Sequence, residues 1–209
     1  MSKELLDCAD FEAVGKHMQL RAQPLDKQHA ANRLAGDVSS RDWLKRAFKA
    51  REQFILNELA GRLFAARQNN KQVFEVWMLE ESDNVQALAT AYGENIAVEQ
   101  FDKAVQEAAG SPAVQAVLGK LFSLYALDRI AADGVFFLQN GLIDGTQSAQ
   151  IAREAQRLCT ELGKDALELT AAFGIPNHMH HAPIANNWIK YNETENNGEL
   201  AQQAYRSKL

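Results

Sequence analysis

Proline and glycine are scarce in this chain, with four prolines and 12 glycines among 209 residues. Long stretches therefore run without a breaker, which favours helices over strands. Cysteine is scarcer still: Cys8 and Cys159 stand far apart and form no metal-like pair. That spacing excludes a disulfide framework and fits a reducing compartment. No apolar run approaches the roughly 18 residues that a membrane span needs, so a membrane is not an expected partner. Basic residues are dispersed, and 22 Lys and Arg against 27 Asp and Glu leave a formal net charge of -5. Nucleic acid is accordingly not an expected partner. The opening "MSKELLDCADFEAV" has early acidic residues and no apolar h-region, so it does not read as a secretory signal. Also missing are alternating strand patterns, internal repeats, a Gly-rich phosphate loop and a Gly-x-Ser-x-Gly elbow.

What the chain does have is helical periodicity. Residues 1–38 are polar and weakly periodic and read as a lead-in or linker. Ser39 or Ser40 is expected to cap a helix with Asp42 in its first turn, where the helix dipole favours a negative charge. Leu44, Phe48, Ile55, Leu59 and Leu63 share one face of that helix, while Lys45, Arg46, Lys49 and Glu52 fill other positions. The helix should end near Gln68, Asn69 and Asn70. A second helix is expected from about Gln72 to Ala109, so broadly apolar that contact on several sides is implied. Gly110-Ser111-Pro112 breaks the chain, and Pro112 suits the first turn of a third helix stopping near Gly141. A fourth should start between Asp144 and Gln147 and reach Phe173. There "FGIP" supplies Gly174 for a left-handed position and Pro176 as a blocker. Helices of roughly 28 residues are about 40 Å long, and short loops between them favour antiparallel packing. The expected fold is all-α, an antiparallel bundle of about four long helices over residues 39–192, with a tail over 193–209.

Candidate chemistry is thin. His178, His180 and His181 crowd one stretch, but adjacent ring positions converge poorly on a metal and no Asp, Glu or Cys lies with them. They read as a surface connection between Pro176 and Pro183. Glu94 and Glu99 sit in the apolar second helix, where burial could raise a carboxyl pKa and make a base. An ion pair with a neighbouring Arg or Lys is the commoner use of such a residue. Trp43, Trp77 and Trp188 could stack on a flavin or adenine, though core packing is the ordinary role of Trp at helical spacing. No metal site and no complete catalytic set is expected. The final Ser207-Lys208-Leu209 matches the address read by the peroxisomal import receptor. The expected location is therefore the peroxisomal matrix.

Several motifs in order carry a family resemblance. They are Leu-Tyr-Ala-Leu at 124–127, Ala-Phe-Gly-Ile-Pro at 172–176, Ala-Pro-Ile at 182–184, and then Trp188, Tyr191, Asn192, Asn197, Gly198 and Glu199. Together with "FKAREQFILNELAGRL" and "VFEVWMLEESDNVQALATAY", this text over residues 40–200 resembles the C-terminal helical domain of acyl-CoA oxidases. The resemblance implies peroxisomal β-oxidation of fatty acids: a Glu takes the α-proton of an acyl-CoA and the β-hydride passes to FAD. Dioxygen then reoxidises the flavin, giving 2-trans-enoyl-CoA and hydrogen peroxide. It also implies that the domains holding most flavin contacts, the acyl-CoA pocket and the catalytic Glu have no counterpart here. Glu193 and Glu199 match a tail motif only, so no catalytic residue is carried over. FAD is expected in the complete enzyme, not in this chain alone, and the expected partners are the remaining domains or another chain of an acyl-CoA oxidase, dimeric in full. The alternative is a non-catalytic helical interaction module imported into peroxisomes.

Overall fold

The computed structural model describes residues 33–176, 179, 182 and 188–190, which divide into two compact units, one ending at Glu161 and the other beginning at Leu162. Among the described residues the regular structure is helical throughout, without a strand, as the sequence periodicity requires. The histidines at 178, 180 and 181, Cys8, the tail motif and the terminal Ser207-Lys208-Leu209 lie outside the described residues.

In the first unit, α1 spans Arg41–Gln68, and Ser40 caps it: its hydroxyl accepts from the Trp43 amide at 3.2 Å. The helix stops on two asparagines. Asn70 takes a left-handed φ of 56°, which Asn tolerates because its short amide bonds locally. The Lys71 amide then reaches the Ala66 carbonyl and the Asn70 amide the Arg67 carbonyl, satisfying two orphan acceptors.

The expected second helix is broken. After the short α2, Val73–Glu75, the backbone widens into a π-helical turn over Val76–Glu80, with the Glu81 amide donating to the Val76 carbonyl at 2.8 Å. The wider turn buries Val76 and puts Glu81 in a non-helical conformation before α3, Ser82–Glu107, begins. A 3₁₀ turn, Ala108–Gly110, closes α3, and Pro112 opens α4, Pro112–Ala132, at the position where a missing amide costs nothing.

The third expected helix is also split. Asp133, outside helical geometry and bonded to Arg51, separates α4 from α5, Gly134–Gln139. That helix ends on Gly141, φ 65°, with the Leu142 amide on the Phe137 carbonyl at 2.9 Å. α6, Gly145–Leu162, starts from a reciprocal cap: the Gln147 amide donates to Asp144 Oδ1 at 2.7 Å and the Asp144 amide to Gln147 Oε1 at 3.1 Å.

Buried side chains of α1, α3, α4, α5 and α6 meet in one core centred on Trp43, Phe48, Phe122 and Phe137. Phe101 stands edge-on to Phe122 with ring centres 5.7 Å apart. The end of the expected lead-in belongs to this core. Leu34 and Val38 are buried, and the Leu34 carbonyl accepts from the Trp43 indole at 3.2 Å and from Gln147 Nε2 at 2.7 Å.

The second unit holds a 3₁₀ turn at Gly163–Asp165 and α7, Ala166–Ala171. The fourth helix thus does not run unbroken to Phe173; Gly163, a weak helix former, stands where it breaks. Gly174 does take the left-handed conformation expected of it, with φ 63°.

Candidate interaction site

α1 and α3 run antiparallel, so residues summing to a nearly constant number face each other. Along that line lies a ladder of polar groups. Asp102 accepts from Lys45 at 2.8 Å and from Arg41 at 3.3 Å. Farther on, Asn95 donates to Glu52 at 2.6 Å, and both side chains are buried. Beside them the Arg51 guanidinium, 4% exposed, holds Glu94 and Asp133 and lies over the Phe48 ring, 5.3 Å from its centre. A charge buried to this degree must be paired to be tolerated. Two carboxylates and an aromatic face supply the pairing, although Arg51 Nε is left without a hydrogen-bond partner.

This ladder is structural chemistry. Glu94 serves as the partner of Arg51, and Glu99 is exposed. The sequence placed Glu52 among the outward positions; it lies inside instead, because Asn95 meets it across the α1–α3 contact. Asn95 and Asp102 escaped notice, though a signal existed. Ala91, Asn95, Val98, Asp102 and Val105 alternate at spacings of four and three, so two polar residues occupy core-facing positions of an apolar stripe. Their burial is also the only deep burial on α3: Tyr92 and Ile96 are exposed, so the helix is covered on one side among the described residues, not on several.

The tryptophans separate. Trp43 is fully buried in the core, Trp77 is half-buried within the π turn, and Trp188 is exposed in the second unit. Cys159 is exposed. Among the described residues no three His, Cys, Asp or Glu side chains converge as a metal would require. Two depressions, of about 430 and 530 Å³, open to solvent beside the start of α6. The first is lined by Arg33, Gly36 and Gln147 among others, the second by Asp37, Arg153 and Arg157. Leu34 and Ala35 line the first and Val38 the second, and no aromatic side chain lines either.

Exposed apolar side chains are the stronger feature. Phe64, Met78, Leu79 and Val135 stand out from the first unit, with Leu79 80% exposed. In the second unit Leu167, Phe173, Trp188 and Ile189 are exposed as well. Exposed apolar side chains mark contact surfaces where they form a patch, and Met78 and Leu79 adjoin in sequence on the π turn.

The family model for acyl-CoA oxidase matches residues 40–187. The human peroxisomal acyl-coenzyme A oxidase 3 is 27% identical over 139 residues, which is 66% of this chain and 20% of that protein. Among solved structures, acyl-CoA oxidase 3 of Yarrowia lipolytica superposes with a TM-score of 0.72 at 19% identity, over 87% of this chain and 29% of that one. Acyl-CoA oxidase-1 of Caenorhabditis elegans, complexed with FAD and ATP, gives a TM-score of 0.68 at 15% identity, over 79% of this chain and 26% of that one. The helical architecture is therefore shared, and the chain spans about a fifth of the length of the curated relatives it matches.

Proposed function

The chain belongs to the acyl-CoA oxidase family, and from that premise we propose that it serves as the C-terminal helical bundle of a peroxisomal acyl-CoA oxidase. In this reading it supports FAD-dependent oxidation of an acyl-CoA to the 2-trans-enoyl-CoA with release of hydrogen peroxide, the chemistry itself being carried by parts of the enzyme beyond this bundle. The observation that carries the reading is the family match over residues 40–187 on a chain that spans only a fifth of its relatives. Relatives named peroxisomal support the compartment, and Ser207-Lys208-Leu209 would be its address.

Neither of the two depressions beside α6 makes a flavin site by itself. A flavin ring is held between apolar or aromatic walls, and its pyrophosphate seeks free amides at a helix N-terminus. Both depressions are open to solvent with no aromatic side chain in their lining, and the N-terminus of α6 is already capped by Asp144. The bundle's role is then positional. Its core gives a rigid body, and its exposed apolar side chains give contact surface for the rest of the enzyme.

A peroxide assay tests this. The purified chain with FAD and palmitoyl-CoA should produce no hydrogen peroxide, and adding the flavin-binding remainder of an acyl-CoA oxidase, as a second chain or in frame, should produce it. Turnover by the chain alone would refute the reading, as would a remainder whose activity is indifferent to the bundle.

A further inference from the structure

The end of α5 carries a dipeptide with chemistry of its own, Asn140-Gly141. A side-chain amide followed by glycine is open to attack by the next backbone nitrogen, because no Cβ on the glycine crowds the approach. Asp133-Gly134 and Asp144-Gly145 have the same spacing, but their carboxylates are held by Arg51 and Arg33. A carboxylate is a poor electrophile with a poor leaving group. Asn140 is neutral and half-buried, and Gly141 beside it is exposed to water.

In the folded chain the reacting atoms are kept apart. Asn140 has φ -93° and ψ 7°, which turns the Gly141 nitrogen away from the Asn140 side chain, whereas ring closure needs the two nearly eclipsed. The Gly141 amide donates to the Leu138 carbonyl at 3.1 Å, and Asn140 Nδ2 donates to the Phe136 carbonyl at 2.9 Å. Nucleophile and leaving group are both occupied. The same turn seats part of the core. Leu142 and Ile143 are buried, and their amides reach the Phe137 carbonyl at 2.9 and 3.3 Å. The Leu142 carbonyl in turn accepts from the Leu34 amide at 2.9 Å, which ties the segment before α1 to the end of α5.

We propose that Asn140-Gly141 is a site of spontaneous deamidation, gated by opening of the α5 C-terminus, and that conversion loosens the seam between Leu142 and Leu34. The Gly141 nitrogen gives up its proton to solvent and bonds to Asn140 Cγ. The Cγ–Nδ2 bond breaks, and ammonia leaves after taking a proton. Water then opens the succinimide at one of its two carbonyls. Cleavage at Cγ leaves an aspartyl residue at 140; cleavage at the main-chain carbonyl leaves an isoaspartyl residue, whose backbone runs through Cβ and Cγ. The only co-reactant is water, and nothing is oxidised or reduced. Either product replaces the Nδ2 donor with a carboxylate at the negative end of α5, beside the Phe136 carbonyl it formerly served. The isoaspartyl form also lengthens the turn that seats Leu142.

The test incubates the full chain in buffer and in unfolding urea. Peptide mapping by mass spectrometry quantifies aspartyl and isoaspartyl forms at 140, apart from the second Asn-Gly pair at 197–198. In urea the two pairs should convert at like rates. In buffer Asn140 should convert at least about tenfold more slowly than in urea, since the Gly141 bond must first open. Leu142→Ala should speed conversion in buffer by about tenfold and leave the rate in urea unchanged. If that variant fails to fold, the parent chain in sub-denaturing urea gives the same reading: conversion should rise in parallel with hydrogen exchange of the Gly141 amide. Asn140→Asp, a stand-in for one product, should speed amide exchange at residues 34 and 142–143 by about tenfold, as should the aged chain. Conversion as fast in buffer as in urea overturns the gate. An Asn140 that stays intact in urea while Asn197 converts overturns the site. Unchanged exchange in both Asn140→Asp and the aged chain overturns the loosening.

Discussion

Asp102 brings the conflict between burial and charge to its clearest point. Its carboxylate is 6% exposed and is held by Lys45 and Arg41 from the facing helix. The charge-assisted bond to Asp102 raises the Lys45 pKa above the ordinary lysine value. The folded state thus holds the proton more tightly than the unfolded chain. The stabilisation is complete below the ordinary value near 10.5 and is lost as pH rises through the higher folded value. Urea midpoints measured from about pH 8 upward should fall in alkali for the parent chain. The fall should be smaller for Lys45→Met, and an identical pH dependence would dismiss the pairing. Local sequence pattern can turn Asn95 and Asp102 inward but does not name the residue that meets either of them. Helical spacing places them on a stripe, but whether a polar residue there meets a counter-charge depends on a residue of another helix some 40 to 60 positions away.

At the scale of elements, starts and stops were legible because they are local. Ser40, Pro112, the Asp144–Gln147 pair, Gly141 and Gly174 each act within a few residues of their own backbone. The breaks inside the expected long helices were not. The π turn at Val76–Glu80 turns one valine inward, and Asp133 leaves helical geometry where it answers Arg51 of α1. Both features follow from contacts that periodicity does not encode. The same division fixes where substitutions hurt. Phe122→Ala, in the fully buried centre of α4, should cost about 3–5 kcal/mol as transfer and cavity terms add. Leu79→Ala, on the exposed tip, should cost no more than about 0.5 kcal/mol in the chain alone. Urea unfolding of both variants checks this, and a large loss at Leu79 would mean that the tip is already covered.

Across the whole molecule, stability should be unevenly spread. The core around Trp43, Phe48, Phe122 and Phe137 opens only with global unfolding, whereas amides between residues 60 and 90 are backed by two buried side chains. Hydrogen exchange followed by mass spectrometry should show that segment exchanging much faster than residues 41–50 in the isolated chain. It should slow when the rest of an acyl-CoA oxidase is added; protection already equal in the chain alone would count against that uneven spread. The sequence by itself determined the helical class, the caps at Ser40, Pro112, Asp144–Gln147 and Gly174, and the kinship with acyl-CoA oxidases, because periodicity, capping chemistry and motif order are all carried along the chain. Only the tertiary structure decided which polar residues turn inward, where the long helices break, and which face of the second helix the described residues cover. Those outcomes depend on side chains brought together from distant positions, and burial is a property of the packed neighbours rather than of the residue.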